Sequence, residues 1–169
     1  MRYIEQSINL FSLTNEYMLV HCVSSDYALG AGIAKKFRDR YDLATKLQNT
    51  GIHGWNDNGY CVIVNMDDNA LSTNPGDATH RVANLVTKEK FWHKPTIRTI
   101  RESLIDLREQ LEDLYEYQNV RRLGMPKIAS GLDKQDWEQV RLTIISVFKS
   151  MSIDIHVCTN KKDTVNLWL

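Results

Sequence analysis

The chain has 169 residues, and its 21 Lys and Arg are balanced by 21 Asp and Glu, so no overall positive field draws it onto nucleic acid or an anionic membrane. Hydrophobic residues make up 43% and charged residues 25%, which excludes a disordered or fibrous chain and predicts one globular domain over 1–169 with its own core. No apolar run approaches the roughly 20 residues of a membrane span, and "MRYIEQSINLF" lacks the apolar stretch and cleavage site of a signal peptide, so a cytoplasmic protein without membrane contact is expected.

Cys22, Cys61 and Cys158 are odd in number, far apart and set in apolar runs, which suits reduced core residues better than a disulfide or zinc site. His21, His53, His80, His93 and His156 show no HxxxH spacing and no CxxC accompanies them, so neither a metal nor another cofactor is expected.

In chain order, "RYIEQSI" and "YMLVHCV" (17–23) are apolar runs of strand length. The second is too continuously apolar to be half-exposed and is read as a buried central strand. From Gly32 to about Gln48, Ile33, Phe37, Tyr41, Leu43, Ala44 and Leu47 recur at helical spacing, and "NTG" carries a stop signal, which predicts one helix. "GYCVIVNM" (59–66) and "RVANLVT" (81–87) predict two further strands. The polar loop "DDNALSTNPGDATH" between them is long for a compact domain.

After Pro95 and Thr96, Ile97, Ile100, Leu104, Leu107, Leu111 and Leu114 mark a long amphipathic helix. "RRLGMPKI" reads as a short strand. "KQDWEQVRLTIISVFKSM" reads as a helix with Trp137, Val140, Ile144 and Phe148 on one face, and "IDIHVCT" as the last strand. Strands alternating with helices imply a mostly parallel or mixed sheet covered on both faces.

Ligands of such sheets bind at the carboxyl ends of the strands, so the loops that follow strands are the places to look. "SSDYALGAGIAKKF" fails as a dinucleotide fingerprint, because Lys35 stands where the third glycine belongs and no acidic residue follows about twenty positions on. Gly30 and Gly32 permit either close backbone approach to a diphosphate or tight packing of the helix on the sheet. In "VTKEKFWHKPT", Lys88 lies just past a strand. It reads either as a solvated charge or, if desolvated, as an amine nucleophile, with Lys90 and Lys94 as rivals. In "PKIASGLDKQDW", Asp133 follows small residues at the mouth of a helix, where capping alone would explain it. "CTNKK" offers Asn160 and two lysines in a turn. His21 and Cys22 cannot pair in catalysis, since adjacent strand residues face opposite ways.

"HCVSSDYALGAGIAKKF", "LVTKEKFWHKPT" and "MPKIASGLDKQDWEQV", in that order, resemble the corresponding segments of the macrodomain family, in its terminal ADP-ribose protein glycohydrolase branch. The likeness runs from about residue 3 to 160. It implies an α/β fold, a three-layer α/β/α macrodomain with a mixed, mostly parallel six-stranded sheet and an ADP-ribose cleft. By this resemblance Leu29, Gly30, Ala31, Gly32 and Ile33 lie on a diphosphate and distal-ribose loop. Lys127, Ile128, Ala129, Ser130, Gly131 and Leu132 form the facing loop, and Leu10, Ser24 and Asn160 line the ligand. Lys88 and Asp133 match the branch's catalytic pair, a lysine nucleophile towards the distal C1″ and an acid/base.

The family often has an aspartate before an apolar pair near the start of the chain, accepting from the adenine amino group. Here Asn9 precedes Leu10 and Phe11, an acceptor without the charge. The 67–80 loop is longer than in related chains and is expected to shape selectivity. The resemblance implies a monomer that binds ADP-ribose and acts on ADP-ribosylated protein or nucleic acid. Its substrates are acidic side chains or DNA bases carrying ADP-ribose, together with O-acetyl-ADP-ribose. Two alternatives stay open: a phosphatase acting on ADP-ribose 1″-phosphate, and a non-enzymatic ADP-ribose reader.

Overall fold

The computed structural model describes residues 1–65, 80–162 and 164–169. In chain order the strands are β1 (Arg2–Gln6), β2 (Met18–Ser24), β3 (Tyr60–Val64), β4 (Val82–Lys88), β5 (Arg122–Met125), β6 (Asp154–Cys158) and β7 (Val165–Trp168). They form one sheet in the order β3-β4-β2-β5-β6-β1-β7. The pairs β2–β4, β2–β5, β5–β6 and β1–β6 are parallel, while β3 and β7 close the two edges antiparallel. The helices are α1 (Gly32–Tyr41), α2 (Leu43–Asn49), α3 (Ile97–Asp113) and α4 (Trp137–Phe148).

The buried strand expected at 17–23 is β2, and its unbroken apolarity has a simple cause. Leu19 and Val23 pack beneath α1 and α2 with Phe37, Leu43 and Leu47, while Met18 and Val20 face α3 and α4 with Leu104, Leu107 and Ile144. Both faces of the sheet are therefore covered, giving three layers. Each fully buried Leu or Ile of α3 contributes about 1.5–3 kcal/mol through removal from water.

Thr96 caps α3, its hydroxyl accepting from the Thr99 N–H at 3.1 Å while Thr99 answers in a capping box. On the opposite end of the sheet, α4 is tied to β1 through Glu5. Its buried carboxylate accepts from Arg141 Nε at 2.8 Å, Arg141 Nη2 at 3.0 Å and the Trp137 indole N–H at 2.8 Å.

Three expectations need correction. The sheet has seven strands among the described residues, because Val165–Trp168 adds to β1. This edge strand is four residues long and largely exposed, so it has no apolar alternation to read. The helix expected over 32–48 is two helices, broken where Asp42 takes a left-handed conformation (φ 50°) that ends α1. The helix expected from Lys134 starts at Trp137. The long loop at 67–80 lies outside the described residues except for His80, which is buried between the Tyr41 hydroxyl and the Leu13 carbonyl.

Candidate active site

Because β2, β4, β5 and β6 run parallel, their carboxyl ends share one edge of the sheet, and the segments after Ser24, Lys88, Met125 and Cys158 meet there. The register of β4 slips between Val23 and Ser24, so that Thr87 is an extra residue and Lys88 lies opposite Ser24. The Lys88 carbonyl accepts from the Ser25 N–H at 2.9 Å, which fixes the backbone that carries the lysine.

Lys88 Nζ donates to Asp133 Oδ1 at 2.6 Å, and both side chains are about one-seventh exposed, 14% and 13%. Asp133 does not cap α4. Asp136 does, accepting from the Glu138 N–H, so the capping role expected for Asp133 falls to the next aspartate. Asp133 instead sits in a loop whose backbone is cross-braced. Gln135 N–H donates to Ala129 O at 2.9 Å, Lys134 N–H to Gly131 O at 3.1 Å, and Ala129 and Lys134 adopt φ of 57° and 55°. Lys94, a rival to Lys88, has its ammonium on the Leu132 carbonyl at 2.7 Å and so braces that loop. Lys90 lies beside Asp26 and helps keep it ionised.

Facing this pair is the amino end of α1. Its N-cap, Ala31, makes no side-chain cap, so the amino end of α1 lies uncapped at the cleft. Gly32 has φ of 60°, and a Cβ there would meet Leu132 Cδ1 at 3.1 Å, across the cleft rather than against the sheet. A Cβ on Gly30 would meet nothing nearer than the Ala28 carbonyl oxygen at 4.0 Å. Neither Cβ position meets an atom of the sheet within 4 Å, so packing on the sheet does not require these glycines.

Two inner chambers of about 360 and 430 Å³ share Cys22, Ala31, Ala34, Leu132, Lys88 and Asp133. The first is also lined by Ser24, Leu29 and Gly30, the second by Gly32, Ile33, Lys127, Ile128, Ala129 and Gly131. An outer chamber of about 940 Å³ shares Gly32, Ile33, Pro126 and Lys127 with the second, and adds Asn9, Leu10 and Asn160. The result is one cleft with the ion pair at its inner end. Burial, followed by the Asp133 charge, pushes the Cys22 thiol up to about 12, so it serves as wall rather than nucleophile. His21 points the other way and stacks on Phe37 at 4.0 Å.

No family model matches the chain. The macrodomain of Mycobacterium tuberculosis DarG superposes with a TM-score of 0.72 at 22% identity, covering 92% of this chain and 96% of that one. Thermosipho africanus DarTG in complex with ADP-ribose superposes at 0.61 and 17% identity, covering 84% of this chain and 37% of that one. Over 151 residues the sequence is 31% identical to the ADP-ribose glycohydrolase OARD1 of Bos taurus, covering 89% of this chain and 87% of that protein. The chain belongs to the macrodomain family, in its ADP-ribose glycohydrolase branch.

Two features of this macrodomain differ from what its sequence suggests. Ser130 is not among the residues lining the cleft, and its hydroxyl donates to the Ile128 carbonyl at 3.1 Å. Asn9 lines the outer chamber, but its Oδ1 accepts from the Phe11 N–H at 2.9 Å as the cap of a short 3-10 helix. That leaves one lone pair for a ligand donor.

Sequence reasoning also missed Asp26. One carboxylate oxygen accepts from the Ser24 hydroxyl and the Ala28 N–H, the other from the Phe91 N–H at 3.1 Å, so this side chain clamps the glycine loop to the segment after Lys88. Burial opposes its ionisation, but these hydrogen bonds outweigh burial and hold the carboxyl below its ordinary value. The signal was the Asx-turn pattern in "SSDYA", a polar run leaving a buried strand.

Proposed function

We infer that this macrodomain binds ADP-ribose along the cleft and is a hydrolase that removes it from modified macromolecules, with Lys88 as nucleophile and Asp133 as acid/base. The observation that carries the reading is the 2.6 Å contact between Lys88 Nζ and Asp133 Oδ1 at the inner end of the cleft, opposite the uncapped amino end of α1. The family supports the ligand: the OARD1 relative is named an ADP-ribose glycohydrolase, and the Thermosipho africanus structure is of a complex with ADP-ribose. In this arrangement the diphosphate lies on the α1 N–H groups, the distal ribose beside the ion pair and the adenosine in the outer chamber.

The chemistry follows from the pair. Attack by nitrogen needs a free lone pair, so the ammonium proton passes along the short contact to the Asp133 carboxylate. Lys88 Nζ then bonds to the distal C1″, and the acidic side chain of the target leaves as a carboxylate with the electrons of the broken C1″–O bond. Ring opening of the resulting glycosylamine gives an imine, to which water adds. Expulsion of the lysine amine releases ADP-ribose, with Asp133 returning and taking protons. The same site would deacylate O-acetyl-ADP-ribose and, with a nucleobase as leaving group, act on ADP-ribosylated DNA.

The test is release of ADP-ribose from a protein mono-ADP-ribosylated on Glu or Asp, with Lys88→Ala and Asp133→Ala beside the wild type. The wild type is expected to release it, and both variants to bind ADP-ribose but not turn over. Loss of the acid/base alone is expected to cost about 10²–10⁴ in rate. Borohydride added during turnover should fix an ADP-ribosyl adduct on Lys88. Phosphate release from ADP-ribose 1″-phosphate that survives Lys88→Ala, with no protein hydrolysis, would favour the phosphatase. Binding without any turnover would leave a reader.

A further inference from the structure

The formal net charge of the chain is zero, yet the outer chamber is lined by Lys36, Lys127 and Lys161, and by no Asp or Glu among the described residues. The three come from separate parts of the fold: the exposed face of α1, the segment after β5 and the turn after β6. None of them has an ion-pair partner among the described residues, so the positive charge is not spent inside the protein.

Lys127 is also held in place. Its ammonium lies 5.6 Å from the centre of the Trp137 ring, and the Trp137 indole N–H is fixed at 2.8 Å by the buried carboxylate of Glu5. Asn9 and Asn160 complete the wall as uncharged donors and acceptors. A chamber of about 940 Å³ is larger than an adenosine requires, so it has room for a further group beside these lysines.

We propose that this chamber is an additional phosphate site, and that the protein prefers ADP-ribose carrying a phosphomonoester on its adenosine ribose. The inference rests on the reading of the cleft as an ADP-ribose site with adenosine in the outer chamber. Three ammonium groups without a competing carboxylate suit a dianion better than a neutral hydroxyl, and the preference is electrostatic and falls with salt.

Calorimetry with ADP-ribose and with its 2′-phospho and 3′-phospho derivatives tests it. At low salt at least one phosphorylated ligand is expected to bind about tenfold tighter than ADP-ribose. That advantage should shrink at high salt and disappear in the Lys36→Gln/Lys161→Gln double variant, which should lose far more affinity for the phosphorylated ligand than for ADP-ribose. Equal affinity for all three ligands, or an advantage that the double variant keeps, overturns the proposal while leaving the ADP-ribose cleft intact. If ADP-ribose itself does not bind, the cleft reading fails and this inference with it.

Discussion

Asp26 shows how one side chain can position a lysine–aspartate pair it does not touch. Lys88 begins the segment that runs through Phe91 to Lys94, and that segment is held at one end by the Ser25–Lys88 backbone bond and the Ser25 hydroxyl on Glu89 O, and further along by Asp26 on the Phe91 N–H. An amide at position 26 keeps one acceptor oxygen but replaces the other with a donor, which cannot serve Phe91. Asp26→Asn is therefore expected to loosen the segment and broaden the distance between Lys88 and Asp133. Misplacement by about 1 Å costs up to a hundredfold in rate, so a fall in kcat of about tenfold or more is expected, with ADP-ribose affinity changed far less. Single-turnover release alongside a binding titration separates the two. Loss of affinity with kcat intact would mean that Asp26 orders the glycine loop alone. Lys94, on the Leu132 carbonyl, braces the facing loop in the same way.

At the level of elements, β3 and α3 meet at close range. A Cβ added at Gly59 would lie 2.0 Å from the Thr99 carbonyl oxygen and 3.1 Å from the Ser103 N, both backbone atoms that cannot rotate aside. The junction is further held by Cys61 N–H on Asp106 at 2.7 Å and Gly59 N–H on Glu102 at 3.2 Å. Gly59→Ala is expected to push α3 off the sheet and cost about 1–3 kcal/mol or more, read as a drop in Tm of several degrees. An unchanged Tm would show that the helix shifts without cost. This contact was invisible in "NGYCVIV", because nothing local records how close another element comes. What the sequence does record is burial on both faces, as in "YMLVHCV", and long periodicity, as in Ile100 to Leu111. That Lys88 and Asp133 meet could be anticipated from the order of three motifs, not from spacing, since each alone reads as a surface charge or a cap. The break at Asp42, the edge strand Val165–Trp168 and the clamp at Asp26 could not, because each depends on backbone geometry or on a partner distant in sequence.

For the whole molecule, stability is tied to acidity through His21, His156 and Glu5, of which His21 and Glu5 lie on opposite faces of the sheet. His21, beneath α1, is fully buried and stacked on Phe37, and burial lowers its pKa from 6.5 to about 4 despite the bond to Asn84. An unfolded chain takes up a proton there below about pH 6.5 that the folded chain refuses until about pH 4, so stability is full above 6.5 and falls as the pH drops through that window. The limit is about 1.4 kcal/mol per pH unit for one proton. His156, also lowered by burial and then by Arg2, adds in the same direction. Glu5, against α4, acts further down. Burial opposes its charge, but Arg141, Tyr3 and Trp137 outweigh burial and hold it below 4.5, so its contribution is present above that value and is lost as the carboxylate protonates. Thermal unfolding from pH 8 downward is expected to show a falling Tm beginning near 6.5, steepening again below 4.5. In the same interval the His21 ring protons should show no titration by NMR until the pH approaches 4. Titration of His21 near its ordinary value would mean that water reaches the sheet beneath α1. Since α1 carries the amino end proposed to hold the diphosphate, ADP-ribose affinity would then follow His21 and not the fold. If His21 stays neutral, affinity and Tm should fall together, because losing α1 from the sheet removes the binding loop and the core in one step.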